Sequence, residues 1–262
     1  MSHTETRIAR GLREMRVSLT PALPLVAGQL SSMLMTVVDS LLAGRHGLQT
    51  LAAVTVGAAM WSVAFLVCIG VMMAVPPSVS QLNGAGRRGE IAAVWQQAVW
   101  LAAIIGVVLM AFVWLAPILL GTFGVTPEVI PQATEFLHAI ALGAPALSLY
   151  FSFRYLSEGL SWTVPTMLFG FGGLVLLGPV GYVLMFGSGP FPELGAAGLG
   201  YATSLVLWLQ AIGFLAYLRL SPRFADLALF AHWRGPRWPV IRDLLKLGLP
   251  MGVSVFMEGS LF

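Results

Sequence analysis

The sequence predicts an all-α, polytopic membrane protein. Three observations carry this. First, apolar residues make up 58% of the 262 and charged residues only 10%, with a mean hydropathy of +0.86. A water-facing surface needs about 25% charged residues, so a soluble enzyme is excluded. Second, the apolar residues fall in runs of about 20, the length that crosses a bilayer as a helix. Third, basic residues collect on one side of those runs. A membrane β-barrel would instead show alternation in segments of about ten residues.

Six complete runs are bounded by charge, Pro or Gly, at approximately 18–43, 50–76, 92–120, 130–156, 164–187 and 195–218, and a seventh begins near Ile241. Arg7, Arg10, Arg13 and Arg16 precede the first. Arg87 and Arg88 separate the second from the third, and Arg154 closes the fourth. Arg219, Arg223, Arg234, Arg237, Arg242 and Lys246 lie between the sixth and seventh or at the start of the seventh. Of the 14 basic residues only Arg45 is left on the other side. Such bias places the N-terminus in the cytoplasm and predicts a multi-pass protein of the plasma (inner) membrane. Connections on the outer side are short, around 44–49, 121–127 and 187–194. The longest connection, 220–240, is cytoplasmic. Its stretch Phe224–Trp233 is largely apolar between arginines, as an interfacial segment or a plain tether would be. Basic and aromatic residues between two apolar spans point to a membrane surface rather than to nucleic acid.

The first 17 residues are polar and arginine-rich, with no small-residue cleavage pattern after a short apolar core, so no removable signal peptide is expected. The one cysteine, Cys68, sits within an apolar run and is expected to pack in a helix. Ala22-Leu23-Pro24 opens the first run and Gly248-Leu249-Pro250 the seventh. This short repeat coincides with the longest loop, as in transporters built from two similar halves with the substrate site between them. The expected divisions are a cytoplasmic N-terminal segment 1–17, a six-helix lobe 18–218, a cytoplasmic linker 219–240, and 241–262 as the start of a second lobe. Because the last run is uncapped at Phe262, a fragment of a longer protein is expected.

Polar groups inside spans mark candidate sites. An ionised Asp at the bilayer centre costs about 2.5–3.5 kcal/mol on the insertion scale, so such residues usually face a cavity or a partner. Asp39 lies in span one with Gln29, Ser32, Thr36 and Ser40 within an arc of about 100°. This stripe is expected to face the bundle interior. Asp39 is suited to exchange a proton or, with neighbouring oxygens, to hold a hard cation such as sodium. A static Asp near the outer helix end is the plainer alternative. Glu258, with Ser254 one turn earlier, is the second candidate. Glu135 and His138 lie in the outer half of span four, where an interfacial Glu and a hydrogen-bonded His are expected. Arg154 and Glu158, four residues apart, read as a surface ion pair. Gly84-Ala85-Gly86 has no preceding strand and no Gly-Lys-Ser/Thr follows, so ATP is not an expected partner. An intramembrane enzyme would need paired carboxylates, and in the six spans only Glu135 is available to pair with Asp39.

Several segments resemble the multidrug and toxic compound extrusion (MATE) family. Val38-Asp39-Ser40 with Ala43-Gly44 is similar to that family's first helix, and Gln81-Leu82-Asn83-Gly84-Ala85-Gly86-Arg87 to its link between helices two and three. Glu158-Gly159 and Pro165-Thr166-Met167 resemble its link between helices four and five. Gly195-Ala196-Ala197-Gly198 with Ala202-Thr203 resembles helix six, and Phe256-Met257-Glu258 helix seven. The resemblance implies twelve helices in two lobes, a central cavity, and export of cationic or amphipathic drugs in exchange for protons or sodium, with no cofactor. It implies that this chain is the first lobe and lacks its C-terminal partner. Carried over by position, Asp39 is the first-lobe cation or proton site, Glu258 the second-lobe cation residue, and Thr203 an accessory polar group. One departure stands out: polar positions common in helix five correspond here to Leu177 and Gly181, which favours a proton over sodium at Asp39. A lipid-linked oligosaccharide flippase of the same superfamily is the alternative, with an inactive transporter fragment or an anchored structural subunit behind it. The flippase would show a more basic cavity, and the six spans carry no Lys or Arg at their centres.

Overall fold

The computed structural model describes residues 2–187, 192–231 and 233–259, with side chains from residue 23 onward except at 255, 256 and 258. The described residues form ten α-helices: α1 (Ser2–His46), α2 (Leu48–Met72), α3 (Val75–Gly84), α4 (Ile91–Leu115), α5 (Pro117–Leu120), α6 (Ile130–Ala141), α7 (Ala144–Gly159), α8 (Val164–Phe186), α9 (Gly195–Leu220) and α10 (Trp238–Gly259). Five stretches are long and apolar enough to cross a membrane: Leu23–His46, Leu48–Gly84, Arg88–Leu115, Val164–Phe186 and Gly195–Leu220. The pair α6 and α7, bent by 43°, makes a sixth when taken together. Where the sequence predicted one uninterrupted span over 130–156, the helix therefore breaks at 142–143.

The break follows from Pro145. Proline has no N–H for the carbonyl four residues back, and its ring crowds the preceding turn. Backbone groups loosened in a membrane must find other partners. Here α9 supplies them. Ser204 Oγ donates to the Ala139 carbonyl at 2.8 Å, and Trp208 Nε1 donates to the Leu142 carbonyl at 3.1 Å. The second run also breaks, at Met73-Ala74, and Pro76 and Pro77 fall in the first turn of α3, where a missing N–H is tolerated.

The core lies where α2, α4, α6, α7 and α9 meet, around Trp95, Leu137, Leu156 and Phe214, all fully buried. Helix α1 packs on α8, α8 on α9, and α10 on α2. Several approaches are close enough to exclude a side chain, two of them at Gly70 and Gly200. A Cβ on Gly70 would lie 2.2 Å from the Cα of Gly252, and one on Gly200 would lie 2.8 Å from the Phe136 carbonyl. Small residues let membrane helices approach backbone to backbone, where dispersion forces rather than water hold them together. The outward faces of α1, α4 and α8 expose Leu30, Leu34, Val107, Phe112, Leu168 and Phe171, as lipid-facing helices do. Cys68 is buried, with its Sγ 3.3 Å from Ser148 Oγ.

Contacts between loops sort the bundle into two ends. At one, His46 Nε2 meets Glu193 Oε1 at 2.9 Å and Gln49 Nε2 donates to the Glu128 carbonyl at 2.7 Å. At the other, Arg88 pairs with Asp226 at 2.8 Å and Trp162 Nε1 donates to Tyr217 Oη at 2.8 Å. The second end carries Arg87, Arg88, Arg219, Arg223, Arg234 and Arg237, and the first carries Arg45. The connection after α9 is not a plain tether. Its Phe224, Leu227 and Leu229 are buried, and two glutamines of α4 hold its backbone. Gln96 donates to the Leu229 carbonyl and accepts from the Arg234 N–H, at 2.8 and 3.1 Å. Gln97 donates to the Gly235 carbonyl and accepts from the Arg237 N–H, at 3.0 and 2.5 Å.

Candidate functional site

Helix α1 carries most of the candidate residues. Asp39 is partly buried, and its Oδ1 is fully buried with no hydrogen-bond partner among the described residues. Of the four such side-chain atoms, the others belong to Trp95, Gln132 and Ser152, so this is the one carboxylate oxygen. An unpaired buried carboxylate oxygen is costly unless it is protonated or meets a cation. The polar stripe around it is oriented differently from the expectation. Gln29, Thr36 and Ser40 are exposed and Ser32 is half-buried, so the stripe does not face the interior of this bundle. The physical reason is that α1 lies at the edge and turns Gly28 and Ser31 toward α8 instead. A Cβ on Gly28 would lie 3.0 Å from Thr166 Cγ2, and Ser31 is buried. The hydroxyls of Ser32 and Ser40 satisfy themselves within the helix, on the carbonyls of Gly28 and Thr36.

Behind Asp39 the packing is apolar. Leu177, Ala202 and Val206 form a small cluster against which Met35 and Val38 of α1 pack. A Cβ on Gly181 would lie 2.9 Å from Leu42 and 3.2 Å from Leu199. Thr203 is buried, but its hydroxyl donates to the Leu199 carbonyl of its own helix at 3.0 Å. Leu177 and Gly181 thus offer no side-chain oxygen. Among the described residues no group of three or more His, Cys, Asp or Glu is placed to hold a metal ion.

A cleft of about 470 Å³ opens between α1, α3, α7 and α10, with Gln29, Pro77, Arg154, Tyr155, Glu158 and Met251 on its walls. Here the sequence reading of a surface ion pair is corrected. Arg154 Nε donates to Glu158 Oε1 at 2.6 Å, with side chains 9% and 12% exposed. Thr166 of α8 donates to the same oxygen at 3.1 Å, and the guanidinium stacks near Phe151 and Tyr155, 5.6 and 6.0 Å from their centroids. The i, i+4 spacing gave the pair. Its burial comes from the packing of α7 against neighbouring helices, α3 and α8 among them, which no local signal announced.

The remaining candidates lie elsewhere. The Glu258 side chain lies outside the described residues; its helix α10 continues through that position, and Ser254 Oγ donates to the Pro250 carbonyl. Glu135 is exposed. His138 stacks on Trp114, centroids 4.3 Å apart and planes 16° apart, in place of the expected hydrogen bond. Gly84–Gly86 ends α3 and leads to Arg87, whose guanidinium grips Glu90 at 2.6 Å.

Comparison with known proteins gives a consistent result. The family model MatE matches residues 24–183. A probable multidrug resistance protein NorM from Xanthomonas campestris is 51% identical over 249 residues, 95% of this chain and 54% of that protein. The multidrug resistance protein PmpM of Pseudomonas aeruginosa is 38% identical over 259 residues, again 54% of its length. The chain spans about half the length of the curated relatives it matches. Among solved structures, the eukaryotic MATE transporter AtDTX14 superposes with a TM-score of 0.84 at 17% identity, over 94% of this chain and 54% of that one. An outward-facing multidrug resistance MATE family transporter gives 0.80 at 20% identity, over 92% and 52%.

Proposed function

The chain belongs to the MATE family of membrane transporters, and from that premise we propose that it forms one half of a secondary exporter of cationic or amphipathic compounds. In this reading it sits in the inner membrane with its N-terminus and arginine-rich end in the cytoplasm, and a second six-helix half faces it across a central cavity. Kinship with relatives described as multidrug resistance proteins supports the substrate class. The single observation that carries the mechanism is the buried, unpartnered Oδ1 of Asp39 on a membrane-spanning helix.

Asp39 is the coupling residue of this proposal, with a proton as the coupling ion. A proton needs one carboxylate. A hard cation prefers about six oxygens, and the apolar packing at Leu177 and Gly181 supplies none. Sodium, if used, belongs to Glu258 and to residues of the second half. Gln29, Ser32, Thr36 and Ser40 are the polar lining of the cavity, and their outward orientation in this half fits a surface that a second half closes. Thr203 stays in the proposal as an accessory buried hydroxyl beside Ala202. Protonation of Asp39 from outside removes its charge and favours a rearranged α1 that releases substrate; deprotonation restores the loading state. Coupling requires that proton and substrate prefer different states.

The test is efflux of a fluorescent cationic dye from whole cells expressing the full-length protein, driven by an acid step outside. Asp39→Asn is expected to abolish pH-driven efflux while leaving membrane insertion intact, and Asp39→Glu to retain part of it. Parental efflux by Asp39→Asn would overturn the mechanism.

A further inference from the structure

The segment between α9 and α10 has an exposed basic and aromatic surface that transport does not use. Most arginines at this end of the bundle are engaged. Arg87 holds Glu90 and Arg88 holds Asp226. Arg219 lies over the Phe230 ring, 5.3 Å from its centroid, and Arg223 over Trp162 at 3.7 Å. The guanidiniums of Arg234 and Arg237 have no acidic or aromatic partner among the described residues, and both side chains are exposed. Trp233 and Trp238 flank them, 47% and 65% exposed.

This surface is held rigid. Gln96 and Gln97, 2% and 1% exposed, each use both ends of the side-chain amide on the backbone of 229–237. Trp100 Nε1 donates to the Arg234 carbonyl at 3.0 Å. The Trp233 ring stands edge-on to Trp95, with centroids 6.2 Å apart. The backbone of both arginines is thus fixed against α4. The N-terminal end of α10, at Trp238, adds the positive pole of a helix beside Arg237.

We propose that Arg234 and Arg237 form a binding site for the phosphate of an anionic phospholipid headgroup. Three features favour this occupant. The segment directly follows the membrane-crossing α9 and is held against the start of the membrane-crossing α4, so it lies at headgroup depth. Tryptophan settles at that depth because its ring is apolar and its N–H is polar. Free arginines there attract anionic lipid. Pre-organisation by the glutamine clamp lowers the ordering cost of binding and distinguishes this site from a flexible basic tether.

Native mass spectrometry of the detergent-solubilised full-length protein, titrated with phosphatidylglycerol and with phosphatidylcholine, tests it. Saturable, tighter binding of phosphatidylglycerol is expected. The double variant Arg234→Gln/Arg237→Gln is expected to lower that affinity about thirtyfold, the factor two near-surface arginines supply. Arg87→Gln, which removes an arginine already paired, is expected to leave it unchanged. Gln97→Leu keeps both arginines but frees the backbone, and is expected to weaken phosphatidylglycerol binding severalfold. If that variant misassembles, the arginine variant decides, because both of its sites are exposed. Equal binding of the two lipids, parental affinity in the arginine variant, or displacement by millimolar inorganic phosphate would overturn the proposal. Parental affinity in a folded Gln97→Leu protein would overturn the role of the clamp.

Discussion

Arg154 and Glu158 sit on one face of α7, and their weight comes from where that face points. Two charges nearly out of water are tolerable only while each satisfies the other. Glu158→Gln leaves Arg154 buried and unneutralised, and removal of one partner of such a pair typically costs about 3–5 kcal/mol. Thermal unfolding in detergent is expected to show a marked fall for Glu158→Gln and for Arg154→Met, and a partial recovery in the Arg154→Met/Glu158→Leu double variant. The exposed pair of Arg87 and Glu90 behaves differently. Solvent screens this pair, so Glu90→Gln is expected to leave the melting temperature at neutral pH almost unchanged, read by thermal unfolding in detergent. Asp39 was legible in the sequence because a carboxylate in an apolar run needs a reason. The burial of Arg154 and Glu158 was not, because i, i+4 spacing is the same on a wet face and on a dry one.

At the scale of the helices, the bend between α6 and α7 shows how a proline in the sequence becomes a shared structural element. Pro145 states where the ladder breaks, but not what compensates for it. The compensation comes from α9, whose Ser204 and Trp208 lie about one turn apart in a run that reads simply as apolar. Ser204→Ala and Trp208→Phe each strand a backbone carbonyl. Each is expected to cost about 1–3 kcal/mol, measured as a lower unfolding midpoint, and the pair together is expected to alter proteolytic cleavage near residue 143. The junction of α2 and α10 makes the complementary demand for absent side chains. Gly70→Val would force a side chain onto the Gly252 backbone, where no flexible group can give way. Overpacking of this kind typically costs about 1–3 kcal/mol, and α10 is expected to become protease-sensitive while the other helices stay protected. The 29 glycines of the sequence do not by themselves tell which glycine faces which helix.

For the whole molecule, the sequence reading of six spans and a one-sided distribution of arginines agrees with the grouping of loops into two ends. Arginine counting worked because each loop is short and the charges are few. It reached no further, since the contacts that hold the connection after α9 against α4 bring together residues 133–140 positions apart. The orientation itself is open to a direct measurement. In a Cys68→Ser background, a cysteine at Gln49 is expected to react with an impermeant thiol reagent from outside whole cells. One at Gly235 is expected to react only after permeabilisation. The reverse pattern would invert the proposed topology.

The glutamine clamp also sets a point in time. A chain emerging from the ribosome presents Gln96 and Gln97 long before it presents residues 229–237, and these two side chains end nearly buried. Until then, four amide donors and acceptors on α4 have only headgroup water for company. The basic end of the bundle is therefore finished last, when the sixth span has already been inserted. A nascent chain halted before Leu229 is expected to hold its spans in the membrane yet be recognised as incomplete and degraded, while one halted after Trp238 is expected to persist. The clamp would then mark for the cell's proteases whether synthesis has passed the sixth span.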